Sequence, residues 1–264
     1  MNFIDALTRQ YHAAPCQVLP NPLWKTLAAL PGCQFSLRLD PAGEPAHLEI
    51  WRGSQLLLYW SADCGCWNLS QEQVYQITFA LVHQDYLAAL QPRRFTRRTA
   101  YFRLELRPGS TPADRPALTE LPPGYSFRPV EVEREAAAAA SLIGRCYANI
   151  SPAAETVRAW TQHPAYAPGL WVWVWDEALA RPAGLGIAEV DPGAGEGALE
   201  WIQVLPEYQG RGLGPALVRE LLRRMSSSAP LITVSGEVEN ASAPEKLYRR
   251  CGFSGQDVWW VLEK

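Results

Sequence analysis

Histidine is scarce in this chain, four in 264 residues. His12, His47, His83 and His163 stand too far apart for a metal-ligand spacing, so they are expected to be surface or structural, and no metal is expected. Basic residues are not in excess either. The formal net charge of -3 argues against nucleic acid as a partner, because domains that bind it usually carry a basic surplus. Long apolar runs are missing: no stretch approaches membrane-spanning length, so no membrane partner is expected. The opening MNFIDALTRQYH lacks the basic head and apolar core of a secretory signal. Cys16, Cys33, Cys64, Cys66, Cys146 and Cys251 follow no disulfide or zinc pattern, and the one close pair has a single intervening residue. Reduced thiols and a cytoplasmic location are expected. No internal repeat is visible.

What is present is apolar content near half the chain and an unusual number of tryptophans, 11. That supports heavy aromatic burial in one large domain or two small ones. RPGSTPADRPALTELPPG, residues 107–124, is rich in proline and small polar residues and has no period of 2 or 3.6. It divides an N-terminal part, 1–107, from a C-terminal part, 124–264, with 108–123 as linker. The N-terminal part reads as α+β: a helix over 3–11, strands over 34–39, 47–51, 55–60 and 101–106, and a helix through 68–90. That helix is capped by Ser70 with Gln73 at the capping-box position. The C-terminal part alternates strands (125–130, 170–175, 185–190, 199–204, 231–238, 258–262) with helices (132–150, 151–163 capped by Ser151, 213–225, 244–251). Trp171, Trp173 and Trp175 share one strand face and read as packing or rim aromatics.

Gln209-Gly210-Arg211-Gly212-Leu213-Gly214 breaks this regularity. The helix behind it buries Leu217, Val218, Leu221, Leu222 and Met225 on one stripe and needs no glycine, each interior one costing up to about 1 kcal/mol against alanine. The glycines must therefore serve the turn or its occupant. A helix start has unpaired amide donors and a partial positive charge, and stripped of side chains it can receive a phosphate or pyrophosphate. The segment is not a Walker A loop, because no Gly-Lys-Ser/Thr follows, and its spacing is not G-x-G-x-x-G.

These residues resemble the Q-x-x-G-x-G signature of the GNAT superfamily, the acyl-CoA-dependent N-acetyltransferases. WIQVLPEYQG before them is similar to that family's strand, bulge and pyrophosphate loop. VENASAPEKLYRRCGF after them is similar to its asparagine, its helix with L-Y-R and its closing G-F. The resemblance covers about residues 124–264. It differs in placing Tyr248 eight residues after Asn240 rather than seven, in Pro244 where alanine is common, and in Pro215, which has no amide to donate. Ser242 and Glu245 still supply a cap and a capping-box partner for the last helix.

The resemblance implies an α/β fold: a mixed, twisted sheet with helices on both faces, binding acetyl-CoA between two splayed strands. The smaller α+β N-terminal part is then a degenerate second copy, by analogy with tandem members of the superfamily. It implies acetyl transfer from acetyl-CoA, as co-substrate, to a primary amine of a small molecule or peptide, by direct attack in a ternary complex. A non-catalytic acyl-CoA sensor or scaffold is the alternative, and homodimerisation is left open. Val204 and Leu205 would pair with the pantetheine arm, and an amide near Val204 would donate to the oxyanion. Gln209, Gly210, Arg211, Gly212, Leu213 and Gly214 would hold the diphosphate, with Arg211 as counter-charge, and Asn240 and Tyr248 would also contact the cofactor. Tyr248 is the expected acid. Glu200 is the expected base, placed by strand alternation on the face of Ile202 and Val204. Glu189 is its rival, and Glu237 and Glu239 are weaker candidates.

Overall fold

The computed structural model describes residues 1–63, 66–109, 121–147 and 149–264. Most of the expected linker, 110–120, and Cys64 of the close cysteine pair lie outside the described residues. The five described cysteines are all free thiols. In chain order the elements are α1 (Phe3–Ala13), α2 (Pro15–Val18), α3 (Leu23–Ala29), β1 (Gln34–Leu39), β2 (Pro45–Arg52), β3 (Gln55–Ser61), α4 (Gln71–Gln76), β4 (Phe79–His83) and β5 (Arg97–Leu106). There follow β6 (Tyr125–Pro129), α5 (Val132–Cys146), α6 (Ala154–Ala159), β7 (Trp171–Asp176), β8 (Arg181–Asp191), β9 (Glu196–Val204), α7 (Leu213–Met225), β10 (Leu231–Glu237), α8 (Pro244–Arg250) and β11 (Ser254–Glu263).

Two compact units interleave along the chain. One comprises Met1–Leu104, Ser235–Glu245 and Gly255–Lys264; the other comprises Glu105–Val234 and Lys246–Ser254. The first passage between them falls between Leu104 and Glu105, before the expected linker at 108–123, and the chain passes between them again after Val234, Glu245 and Ser254. The chain's last strand returns to the first unit because β11 pairs antiparallel with β4, from Trp259↔His83 to Glu263↔Phe79.

In the first unit the strands lie in the order β1-β2-β3-β4-β11-β5. β1, β2 and β3 form an antiparallel meander, and β3 meets β4 in parallel. Asn2 caps α1 by accepting the Asp5 N–H at 2.9 Å. The long helix expected over 68–90 does not form. Ser70 and Gln73 make the capping box as expected, but the helix ends at Gln76. Ile77 is already extended (φ -62°, ψ 123°), and Phe79–His83 is a strand burying Ala80 and Val82. The β-branched and aromatic residues of ITFALVH suit a pleated surface better than a helix, and the apolar spacing that mimics a helical stripe is carried by two different elements.

In the second unit the order is β10-β9-β8-β7-β6. β10 runs parallel to β9, and the other pairs are antiparallel. α7 packs its buried stripe, Leu217, Val218, Leu221, Leu222 and Met225, on one face. On the other face the Trp173 indole N–H donates to Glu135 of α5 at 3.0 Å. Trp171 and Trp173 are core residues, each 1% exposed. Trp175, beyond a register shift in β7, is covered by the Arg128 guanidinium 4.5 Å from its ring centre. α6 is shorter than expected. Ala153 rather than Ser151 precedes it, with extended backbone (φ -76°, ψ 158°) and no side-chain cap, so Pro152 lies before the helix rather than at its first position.

The close seat of α7 depends on Gly186 of β8. A Cβ there would lie 2.8 Å from Leu217 Cδ1 and 2.9 Å from Leu221 Cδ1. Gly186→Val is expected to destabilise the protein by about 1–3 kcal/mol through overpacking, read as a lowered denaturant midpoint with an unchanged slope.

Candidate active site

The loop between β9 and α7 is built on a buried phenol. Tyr208 is 2% exposed; its hydroxyl donates to Asp176 at 2.9 Å and accepts from Arg181 Nε at 2.9 Å. Asp176 also accepts the Ala178 and Leu179 N–H groups. These bonds, that from Leu179 foremost, hold its carboxyl below the usual range. The loop is thus fixed from beneath while its upper side stays open. Gly210 (φ +76°) and Gly212 (φ +80°) are left-handed, and a Cβ on either would meet nothing within 4 Å. Only glycine reaches this geometry without strain, and the bare backbone leads directly into the first turn of α7. Gly214 is different: it is helical, and a Cβ would make ordinary contact with Leu247 at 3.6 Å. Leu213 is buried beneath the turn. Gln209 ties the loop to its strand by donating from Nε2 to the Val204 carbonyl at 3.1 Å.

Arg211 does not stand free over the glycines. Its guanidinium donates to the Tyr125 hydroxyl at 2.9 Å and to the Glu207 carbonyl at 2.8 Å, and lies 5.0 Å from the Tyr208 ring centre. Its charge stays at the loop, but two of its donors pin the loop's shape.

Strand β9 carries the second feature. Among the described residues of this unit, its ladder with β10 runs from Leu231↔Glu196 to Val234↔Leu199; β9 itself continues to Val204. Val204 lies opposite Gly184, and the next amide, Leu205 N–H, donates to Ala183 at 3.0 Å. That makes Val204↔Gly184 a non-hydrogen-bonded pair, so the Val204 N–H and C=O point to the strand's other side, past the end of the β10 ladder. Leu205 does not share this role. Its N–H goes to Ala183 and its carbonyl accepts from Tyr208, so it has no backbone edge to offer a ligand.

A bulge places Glu200. On β8, Ile187 faces Trp201 while Ala188 faces Leu199, leaving Glu200 as the extra residue. This overturns the alternation argument that puts it with Ile202 and Val204. A Cβ on Gly197 would meet Met225 of α7, and one on Gly186, opposite Ile202, would meet Leu217 and Leu221. Gly197 and Ile202 therefore share the α7 face though they are five residues apart, an odd number, so the alternation breaks once between them, at Glu200.

Tyr248 of α8 is 6% exposed and meets Phe253 edge-on, ring centres 5.9 Å apart. Burial pushes its phenol well above the usual range, with smaller contributions from Tyr147, Cys251 and Glu200. Tyr248, Tyr147 and Glu200 thus share one neighbourhood. The rival Glu189 is buried against His163, Oε1 to Nε2 3.1 Å. Asn240, Glu237 and Glu239 belong to the first unit. The Asn240 side-chain oxygen accepts from both the Ser242 N–H and hydroxyl, at 2.9 and 2.7 Å. Ser242 therefore serves a local turn rather than capping α8, and Ala243, with φ +48°, precedes that helix.

Three neighbours were not anticipated as site residues. Tyr147 follows α5, Trp160 closes α6 and Gln203 lies in β9; Gln203 Nε2 contacts the Tyr147 hydroxyl at 3.5 Å. The available signal was Gln203 itself, a polar side chain in the buried phase of an apolar strand. Among the described residues no group of histidine, cysteine and carboxylate could hold a metal, and no helix is long and apolar enough to cross a membrane.

Against known proteins, the model of the acetyltransferase (GNAT) family matches residues 136–253. No curated protein matches. Among solved structures, a GCN5-related N-acetyltransferase from Sphaerobacter thermophilus is 16% identical with a TM-score of 0.69, over 98% of this chain and 89% of that one. A tandem GNAT protein from the clavulanic acid biosynthesis pathway is 13% identical with a TM-score of 0.59, over 99% and 94%. A GNAT-family acetyltransferase from Colwellia psychrerythraea is 12% identical with a TM-score of 0.60, over 100% and 97%. At these identities the likeness is one of fold. It extends through the N-terminal residues, which are GNAT-like in fold as well.

Proposed function

We propose that the protein is an acetyl-CoA-dependent N-acetyltransferase acting on a primary amine of a small molecule or peptide, a reading supported by the match of residues 136–253 to the GNAT acetyltransferase family model. The observation that carries this is the open left-handed backbone at Gly210 and Gly212, leading into a 13-residue helix. Positive-end amides with no side chain over them fit a pyrophosphate. Gln209, Gly210, Gly212, Leu213 and Gly214 would hold that group, with Arg211 adding charge from its fixed position. Bound there, acetyl-CoA supplies an activated acetyl group as a thioester.

The chain's own groups divide the remaining work. The Val204 N–H, turned away from β8, is the donor for a developing oxyanion; a preorganised amide of this kind acts without reorganising during the reaction. Glu200, re-aimed by the bulge, accepts a proton from the incoming ammonium, directly or through a water. Tyr248, kept protonated by burial, holds the proton for the leaving thiolate. Acceptor and co-substrate are held together, so the amine attacks directly within a ternary complex.

The test is a thermal melt with acetyl-CoA. At one hundred times its dissociation constant it should stabilise the folded chain by about 2.7 kcal/mol; no shift would overturn the reading. Glu200→Gln is expected to lower kcat by about 100-fold at neutral pH and to leave the acetyl-CoA melt shift intact. An unchanged rate and pH profile would remove Glu200 as the base.

A further inference from the structure

Resting on that reading, we propose that Tyr147, Trp160, Trp201 and Gln203 form the acceptor subsite, and that it takes an amine carrying an aromatic or similarly flat apolar group. All four residues belong to the second unit. The Trp160 and Trp201 rings stack with centres 5.1 Å apart and planes 12° apart, and Tyr147 meets Trp201 edge-on at 6.0 Å. These rings are not core. Trp171 and Trp173, two strands away on β7, are each 1% exposed, whereas Trp160, Trp201 and Tyr147 are all only half-buried. Stacked aromatic faces left open to a site offer broad apolar contact at little conformational cost.

Gln203 adds the polar element. It is 3% exposed, and its buried Oε1 has no hydrogen-bond partner among the described residues. Whichever way the carboxamide is turned, one end meets Tyr147 and the other has no partner among those residues. Buried polar groups are almost always satisfied, so an unpartnered one among half-open aromatic rings marks where a ligand's polar hydrogen goes. The neighbourhood also suits a cation. Tyr147 and Glu200 both act on the Tyr248 phenol, which puts the rings and a carboxylate around the same candidate acid. Of the basic residues flanking these rings in sequence, Arg145 is paired with Glu207 and Arg158 with Glu155. The occupant is thus an ammonium on a flat apolar body, its nitrogen toward Glu200 and its ring against Trp201.

The experiment compares 2-phenylethylamine with n-butylamine, two primary ammonium ions that differ in the ring. Thiol release from acetyl-CoA by the full chain should show kcat/KM at least about 10-fold higher for 2-phenylethylamine, the scale set by a few methylenes' worth of apolar contact. Ligand-observed NMR, which needs no turnover, should detect 2-phenylethylamine bound and n-butylamine not. Trp201→Ala and, as a second variant on a short surface helix, Trp160→Ala should each erase the preference chiefly by raising KM. Gln203→Leu should raise KM for 2-phenylethylamine as well. Equal handling of the two amines, or a preference that survives both tryptophan variants, overturns the subsite. If acetyl-CoA still shifts the melt in that case, the acetyltransferase reading stands without it. If acetyl-CoA gives no shift, that reading falls, and the subsite's role as an acceptor site falls with it.

Discussion

Gly212→Glu is expected to abolish the stabilisation by acetyl-CoA and to lower kcat/KM by at least about 100-fold, equivalent to about 2.7 kcal/mol of binding. Two effects add at this one position. Gly212 has φ +80°, a conformation that costs a side-chain-bearing residue roughly 1–2 kcal/mol. The new carboxylate also stands where the helix start favours an anion. The fold itself should survive, because a Cβ at Gly212 meets nothing within 4 Å. Gly212→Asn separates the two effects, since asparagine tolerates the left-handed region and carries no charge; it should retain part of the melt shift. Gly214→Ala is the control. That glycine is helical and a Cβ would make only ordinary contacts, and alanine keeps the backbone amide through which Gly214 would hold the pyrophosphate, so the melt shift should be largely retained. A folded Gly212→Glu protein that still responds to acetyl-CoA like wild type would place the pyrophosphate elsewhere.

The contrast among these glycines shows what the sequence could and could not disclose. The triplet stood out as a candidate site because a helix with a complete apolar stripe had no use for it. That two of the three require positive φ, and the third does not, depends on where α7 begins, which spacing does not fix. Val204 was legible through the motif around it. The direction of its amide is a matter of register, set by Leu205 donating to Ala183, and Leu205 is excluded as an edge partner by that same bond. The alternation argument for Glu200 fails on β9: alternation holds only where no residue is inserted, and the bulge that breaks it is a property of two strands together. The 68–90 segment misled because a short capped helix followed by a strand can imitate one helix's apolar spacing. Asn240 matches a family position, yet in this chain its side-chain oxygen is engaged by Ser242 two residues on.

Tyr248→Phe is expected to lower kcat by about 100-fold, in the range of a lost general acid, with KM for the amine little changed. Phenylalanine keeps the edge-on packing against Phe253, so a loss of rate would report the hydroxyl and not the fold. The pH dependence carries a separate signature. Burial raises the phenol's folded-state pKa above the unfolded value of about 10. The proton donor is therefore present throughout the neutral and mildly alkaline range, and the rate should show no alkaline limb from this residue below pH 10. The same shift sets the sign of the stability effect. A pKa raised on folding contributes stability that is full below the unfolded pKa and is lost as pH rises from there toward the folded one. Wild type should therefore lose stability above pH 10 more steeply than Tyr248→Phe, which has no proton to lose at that position. Denaturant titrations at pH 8, 10 and 11 would read this directly. Full turnover in the folded phenylalanine variant would leave Tyr248 as a core residue and return the proton to solvent. A lost rate with KM little changed would tie the hydroxyl to the leaving group, and the flatter alkaline profile of the variant would show that the hydroxyl it removed was the buried one.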